Sequence, residues 1–251
     1  MKYIVIIPAR YESSRFPGKP LARIGGEEMI TRVCRQVEKA GVEAVVATDD
    51  SRIRECVEKA GFRAVMTSDT HRSGTERVEE AYRLLGSDAD VVINVQGDEP
   101  FIRPEQIEKL KAVFENNPSA EIATLAMRFD ATRGFDALFD PNLVKVVFSQ
   151  DMDALYFSRS IIPYVRKTDW KNWLKDAEFH THIGIYGYKA SVLSKIVRLP
   201  ESSLEKAESL EQLRWIQNGF GIKIGLTEFS TIGIDTEEDL REAEKMLAGK
   251  E

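Results

Sequence analysis

The chain has 251 residues, 43% of them hydrophobic and 30% charged, which supplies a sizeable core and lies far from disordered composition. Its formal net charge of -6 argues against a general nucleic-acid binder, which is usually basic. A polyanionic ligand would have to meet locally placed cations or a metal.

The first element is the apolar run Tyr3-Ile4-Val5-Ile6-Ile7, which reads as a fully buried strand because both faces of its pleat are apolar. It is far too short to span a bilayer, and no secretory pattern follows it. Cys34 and Cys56 sit in helix-like segments without metal-ligand spacing, as buried thiols of a reducing compartment do. A soluble cytoplasmic protein is expected, with no membrane or nucleic-acid partner. Beyond the run, Pro8 to Pro20 mixes Pro17, Gly18 and Pro20 with Arg10, Arg15, Lys19 and the hydroxyls of Tyr11, Ser13 and Ser14, so it is a loop. A buried first strand opening into a cationic loop is where an open parallel sheet holds an anion, commonly a phosphate.

Helical spacing follows over 28–40, then a strand over 42–48, a helix over 51–60 and a short strand over 63–66. Residues 75–85 read as helix, 90–96 as strand and 104–114 as helix with Pro104 at its start. This β-α-β-α order predicts an α/β fold, an open and mostly parallel Rossmann-like sheet with right-handed crossovers. Strand-like runs then dominate (122–129, 143–148, 154–157, 181–188), before a helix over 204–217, a strand over 222–226 and a helix over 236–247. One domain spanning 1–251 is expected, with a nucleotide-binding core of about 1–120 and 200–251 and a β-rich insertion of about 121–199.

Four segments carry chemistry. In the first loop no G-x-G-x-x-G follows the strand, and Gly18-Lys19 is followed by Pro20, so neither a dinucleotide fingerprint nor a P-loop is present. Arg10, Arg15 and Lys19 supply the charge instead, with arginine suited to bidentate phosphate pairing. At the end of the strand over 90–96, Asn94-Val95-Gln96-Gly97-Asp98-Glu99-Pro100 places acids at the ligand crevice of an open sheet. One carboxylate there is enough to anchor Mg²⁺ on a phosphate; Asp98 and Glu99 both qualify. Around Gly233-Ile234-Asp235-Thr236, an approximate capping box uses Thr236 and Asp239 and leaves Asp235 to join Asp98 at a metal. Lastly, in Asp69-Thr70-His71-Arg72-Ser73-Gly74-Thr75-Glu76-Arg77, Ser73, Gly74 and Thr75 suit a nucleotide approaching a helix N-terminus, while Ser73 and Glu76 also have capping-box spacing.

These segments resemble the 3-deoxy-manno-octulosonate cytidylyltransferase family. The likeness runs through Pro8-Ala9-Arg10-Tyr11-x-Ser13-x-Arg15-Phe16-Pro17-Gly18-Lys19-Pro20-Leu21, His71-x-Ser73-Gly74-Thr75-Glu76-Arg77 and Val95-Gln96-Gly97-Asp98-Glu99-Pro100. It continues through His182-Ile183-Gly184-Ile185-Tyr186-Gly187-Tyr188, Glu208-Ser209-Leu210-Glu211-Gln212-Leu213-Arg214 and Asp235-Thr236-x-Glu238-Asp239-Leu240. It covers nearly the whole chain. One departure is Ser160-Ile161-Ile162-Pro163, where the family usually has proline in place of Ile161; no catalytic position is touched.

The resemblance implies transfer of CMP from CTP to the C2 hydroxyl of the eight-carbon sugar acid KDO, with Mg²⁺, a homodimer built by the β-rich insertion, and a role in lipopolysaccharide synthesis. It implies that Arg10, Arg15 and Lys19 contact the triphosphate, with Lys19, Arg15, Asp98 and Asp235 catalytic and the two aspartates carrying metal. Pro8, Ala9, Ala47, Thr48, Asp49, Arg72, Ser73, Gly74, Thr75 and Gln96 would complete the nucleotide site. Arg159, His182, Tyr186, Glu211 and Gln212 would line the sugar-acid pocket. Two other readings stand beside it: a cytidylyltransferase for another acidic sugar, and a non-catalytic nucleotide-binding regulator, which the Asp98, Asp235 and Lys19 set disfavours.

Overall fold

A computed structural model describes residues 1–13 and 15–248. Ser14, read above as a hydrogen-bond donor, lies outside the described residues. In chain order the elements are β1 (Tyr3–Ala9), β2 (Arg23–Ile24), β3 (Glu27–Glu28), α1 (Met29–Lys39), β4 (Ala44–Thr48), α2 (Ser51–Lys59), β5 (Arg63–Met66), α3 (Gly74–Leu85), β6 (Val91–Asn94) and α4 (Pro104–Asn116). They continue with β7 (Ile122–Arg128), β8 (Lys145–Phe148), β9 (Ala154–Ser158), α5 (Trp173–Asp176), β10 (His180–Lys189), α6 (Ala190–Ile196), α7 (Ser203–Glu208), α8 (Gln212–Gln217), β11 (Ile222–Thr227) and α9 (Glu237–Ala248). Two units are formed: unit 1 holds Met1–Glu108, Gly187–Val197 and Thr231–Glu251, and unit 2 holds Lys109–Tyr186 and Arg198–Ser230.

In unit 1 the strands run β6-β1-β4-β5, all parallel, with Val5 opposite both Ala44 and Ile93. The α/β class expected from the element order is therefore the one observed. Val5, Ile6, Ile7, Val45, Val46, Val91, Val92 and Ile93 are all fully buried. Continuous apolar runs of this kind suit strands covered on both faces. Helices supply the cover: α1 buries Met29, Ile30, Val33, Cys34 and Val37, and α3 packs on β1. Asp50 caps α2 by accepting from the Arg52 N–H, and Ser73 caps α3 by accepting from the Glu76 N–H. The short hairpin β2–β3 around Gly25-Gly26 was not foreseen in the sequence. Its Ile24 buries with Met29, Ile234 and Ala243, which holds α9 and the segment before it in unit 1.

In unit 2, β11 pairs parallel with β7, from Ile222 opposite Ile122 to Thr227 opposite Met127. β8 pairs antiparallel with both β9 and β10. An aromatic cluster of Phe129, Phe135, Trp173 and Phe179, with Leu138, forms a separate core. The single helix expected over 204–217 is instead α7 and α8, broken at Ser209, whose φ of 51° is left-handed. Tertiary bonds explain the break: the Glu208 carboxylate accepts from Ser158 Oγ and the Arg159 N–H, and its carbonyl accepts from Arg159 Nε. Backbone that would have continued a helix is thereby committed to another segment. α6 was likewise missed.

Because Ile6 is fully buried in the central strand of unit 1, Ile6→Ala should cost about 2–5 kcal/mol in urea unfolding. Leu155→Ala, at a residue 58% exposed, should stay within about 0.5 kcal/mol. Equal effects of the two would refute this placement of the core.

Candidate active site

Unit 1 gathers its chemistry where β1 and β6 end. After Ala9 the chain turns through the cationic loop, which closes when the Gly18 N–H donates to the Tyr11 carbonyl at 2.8 Å. Gly18 has a φ of 73°, and a Cβ there would stand 3.1 Å from the Tyr11 ring, so only glycine closes this turn without strain. Arg52 stacks on the same tyrosine, its guanidinium 3.4 Å from the Tyr11 ring centroid, while pairing with Asp50 through Nε and Nη2. That pairing holds the Asp50 carboxyl below its ordinary range.

Lys19, at the loop's end, reaches two acids at once. Its Nζ lies 2.6 Å from Asp98 Oδ2 and 3.1 Å from Asp235 Oδ1, and Arg15 Nη2 lies 3.3 Å from Asp235 Oδ2. The acids are fixed by their backbones. Gly97 lets the turn after β6 approach β1, for a Cβ at that position would sit 2.9 Å from the Pro8 carbonyl oxygen. The Ile234 N–H donates to the Asp98 carbonyl at 2.9 Å. Asp239 accepts from the N–H groups of Asp235 and Thr236 at 2.9 and 2.8 Å, and its own N–H donates to Thr236 Oγ1, which completes the cap expected there. Glu99, the competing acid, is buried; burial and then the charge of Asp98 push its carboxyl up to about 8. The acid that meets Lys19 at this turn is Asp98.

Pro8, Ala9, Arg10, Arg15, Lys19, Arg72, Ser73, Gly74, Gln96, Asp98 and Asp235 line one cavity of about 300 Å³. Asp49 lines an adjoining cavity in the same unit with Arg10, Tyr11 and Arg52. Ala47 and Thr48 are fully buried in β4, and Thr75 is buried in the first turn of α3, so their side chains line neither cavity. Two residues with no assigned role line both. Arg77, almost fully buried, donates to Asp49 Oδ2 at 2.6 Å and to Thr67 Oγ1 at 2.7 Å. His71 Nε2 lies 2.6 Å from Glu80 Oε2, which also accepts from the Ser68 N–H. The signal for Arg77 was a charged residue on the apolar stripe of a helix, beside Val78 and Ala81.

The proposed sugar-acid residues all belong to unit 2. Thr124 Oγ1 lies 2.9 Å from His182 Nε2 and within hydrogen-bond reach of the Ile185 and Ile183 carbonyls, at 2.7 and 3.2 Å. Burial pushes the His182 pKa down to about 3, so the imidazole is neutral. Its ring meets Phe157 edge-on at 5.1 Å and Tyr186 at 5.3 Å, and Tyr186 meets Trp215 at 5.2 Å. Glu211 pairs with Arg214 at 3.0 Å, and Gln212 is buried with its Nε2 unpaired among the described residues. Arg159 lines a cavity of about 770 Å³ with Phe135, Trp170 and Trp173, to whose lining the other four do not belong. Its guanidinium donates to the carbonyls of Glu208, Pro141 and Ser209. Among the described residues no cluster of three or more metal-ligating side chains occurs, and no helix is long and apolar enough to cross a membrane.

A sequence profile described as Cytidylyltransferase matches residues 4–224. A 3-deoxy-manno-octulosonate cytidylyltransferase of Phocaeicola vulgatus is 54% identical, over 100% of this chain and 99% of the relative. One of Thermodesulfovibrio yellowstonii is 48% identical over 98% of each. A solved CMP:2-keto-3-deoxy-manno-octonic acid synthetase complexed with CTP is 41% identical over the whole of both chains, with a TM-score of 0.91. A 4-diphosphocytidyl-2C-methyl-D-erythritol synthase from Anaerococcus prevotii shares the fold alone, at 16% identity and a TM-score of 0.63.

Because His182 stays neutral when folded but titrates near 6.5 when unfolded, the unfolded chain binds more protons between about pH 6.5 and 3. Its share of stability is complete above pH 6.5 and is lost as pH falls. The Tm of the wild type should thus drop more between pH 7 and 5 than that of His182→Asn; equal drops would contradict a neutral, enclosed imidazole.

Proposed function

The chain belongs to the cytidylyltransferase family, and we propose that it transfers CMP from CTP to the C2 hydroxyl of 3-deoxy-D-manno-octulosonate, releasing pyrophosphate. The observation that carries this reading is the meeting of Lys19, Arg15, Asp98 and Asp235 on one cavity of unit 1. A nucleotidyl transfer asks the protein for position and charge neutralisation rather than for a covalent nucleophile. Arg10, Arg15 and Lys19 would grip the triphosphate, with Arg15 and Lys19 stabilising the departing pyrophosphate. Ser73, Gly74 and Gln96 would meet the nucleoside, beside the N-terminus of α3.

Asp98 and Asp235 converge on a single cation, the Lys19 ammonium, which is the donor set a hard divalent ion takes. They are the residues that would hold Mg²⁺. Bound there, the ion would neutralise phosphate charge and lower the pKa of the attacking hydroxyl. With the metal in place, Lys19 would be released from the two carboxylates to serve the phosphates.

In unit 2, Arg159 would pair with the sugar acid's carboxylate. Glu211 would accept from sugar hydroxyls, and the unpaired amide of Gln212 would donate to them. Neutral His182 and Tyr186 would present ring surfaces without adding charge. A cytoplasmic homodimer feeding lipopolysaccharide synthesis fits this activity.

Pyrophosphate release from CTP and Mg²⁺ tests the proposal, with KDO compared against its 8-amino analogue and sialic acid. KDO should support turnover, and Asp98→Asn should lower kcat at least ~10²-fold, the scale of losing one electrostatic stabiliser. No release with KDO would overturn the function. Near-normal turnover of the mutant would remove Asp98 from the metal site.

A further inference from the structure

Lys145 is the first residue of β8, in a run whose neighbours are apolar, and its side chain is fully buried. Burying an ammonium is expensive unless every N–H finds a partner. Here each does: Nζ donates to the carbonyls of Leu143 and Arg159 at 2.6 Å and of Asp140 at 3.1 Å. A neutral amine has only two N–H groups, so three carbonyl acceptors call for the protonated form. Burial pushes its pKa down, the charges of Asp140 and Glu208 push it back up, and nearby Arg159 pushes it down again. The two cations therefore act on each other.

They also share their anchors. Lys145 holds the Arg159 carbonyl and both ends of the turn over 140–143, while the Arg159 guanidinium donates to Pro141 within that turn and to Glu208 and Ser209 beyond it. Each of these partners is a neutral carbonyl, so neither positive charge is cancelled by the bonds that hold it. One N–H on each terminal nitrogen of Arg159 is left over, the number that a carboxylate takes in bidentate pairing.

We propose that Lys145 is a positioning residue of the acid-binding site: it fixes the Arg159 backbone and the 140–143 turn so that the guanidinium is already aimed. Lys145 touches no substrate. The inference rests on the reading that Arg159 pairs with the sugar carboxylate, and it makes selectivity for an acid over an uncharged analogue a property of both residues.

The test measures KM for KDO, for its methyl ester and for CTP in wild type, Arg159→Ala, Lys145→Met and the double variant, with Tm recorded for each. Lys145→Met should raise KM for KDO about 10-fold or more, in keeping with the loss of one well-placed charge-assisted interaction. KM for CTP, whose proposed site lies in unit 1, should change less than about 2-fold. KM for the ester should stay close to the wild-type value, and the double variant should be no worse than Arg159→Ala alone. A merely structural lysine would raise KM for acid and ester alike. An unchanged acid-to-ester ratio in Lys145→Met, or an additive double variant, overturns the proposal while leaving Arg159 in place. An unchanged ratio in Arg159→Ala overturns the Arg159 reading itself. Should Lys145→Met fail to fold, Lys145→Arg is read by the same criteria, because it keeps the charge but its planar fork cannot match three carbonyls.

Discussion

Two carboxylates held in one small volume repel each other unless a cation sits between them. Unit 1 is organised around that constraint. Lys19 satisfies it by bonding Asp98 and Asp235 together, and three segments distant in sequence must come to one place for this to happen. The turn at Gly18, the close approach at Gly97 and the bond from Ile234 to Asp98 each serve that meeting. Remove the charged cluster and these backbone features would have little to position.

Two cations of the second unit are held in the opposite way. Lys145 and Arg159 are surrounded by peptide carbonyls, whose dipoles solvate positive charge without cancelling it. In unit 1 acids and bases neutralise one another. The carboxylates of Asp140 and Glu208 act on Lys145 through space rather than through a bond. The neutral imidazole of His182, held by Thr124, adds no charge of its own to this unit near neutral pH.

Sequence was most legible where burial dictates composition. The apolar run of β1, the strands β4 and β6 and the helices between them follow from periodicity, because a sheet covered on both faces leaves polar residues no place. Lys19, Asp98 and Asp235 were also visible as charges in the loops between elements. For Arg77 and Lys145 a charge inside an apolar stripe signals burial but not the carbonyls and carboxylates that will solvate it. The break at Ser209 was hidden for a related reason: the bonds from Ser158 and Arg159 that draw Glu208 out of a helix come from some fifty positions away. Of the sugar-acid set, resemblance to a family supplied nearly everything, and spacing along the chain almost nothing.

The bond between the Ile234 N–H and the Asp98 carbonyl also orders events in time. Most of the unit 1 sheet, from β1 to β6, is encoded in the first part of the chain and can begin to pair as it is made. Asp235, and the Asp239 side chain that fixes its backbone, follow β6 only after more than a hundred further residues. Until they are made, Lys19 has only Asp98 to face. The three-way ion pair can therefore be completed only after every residue of unit 2 has been made.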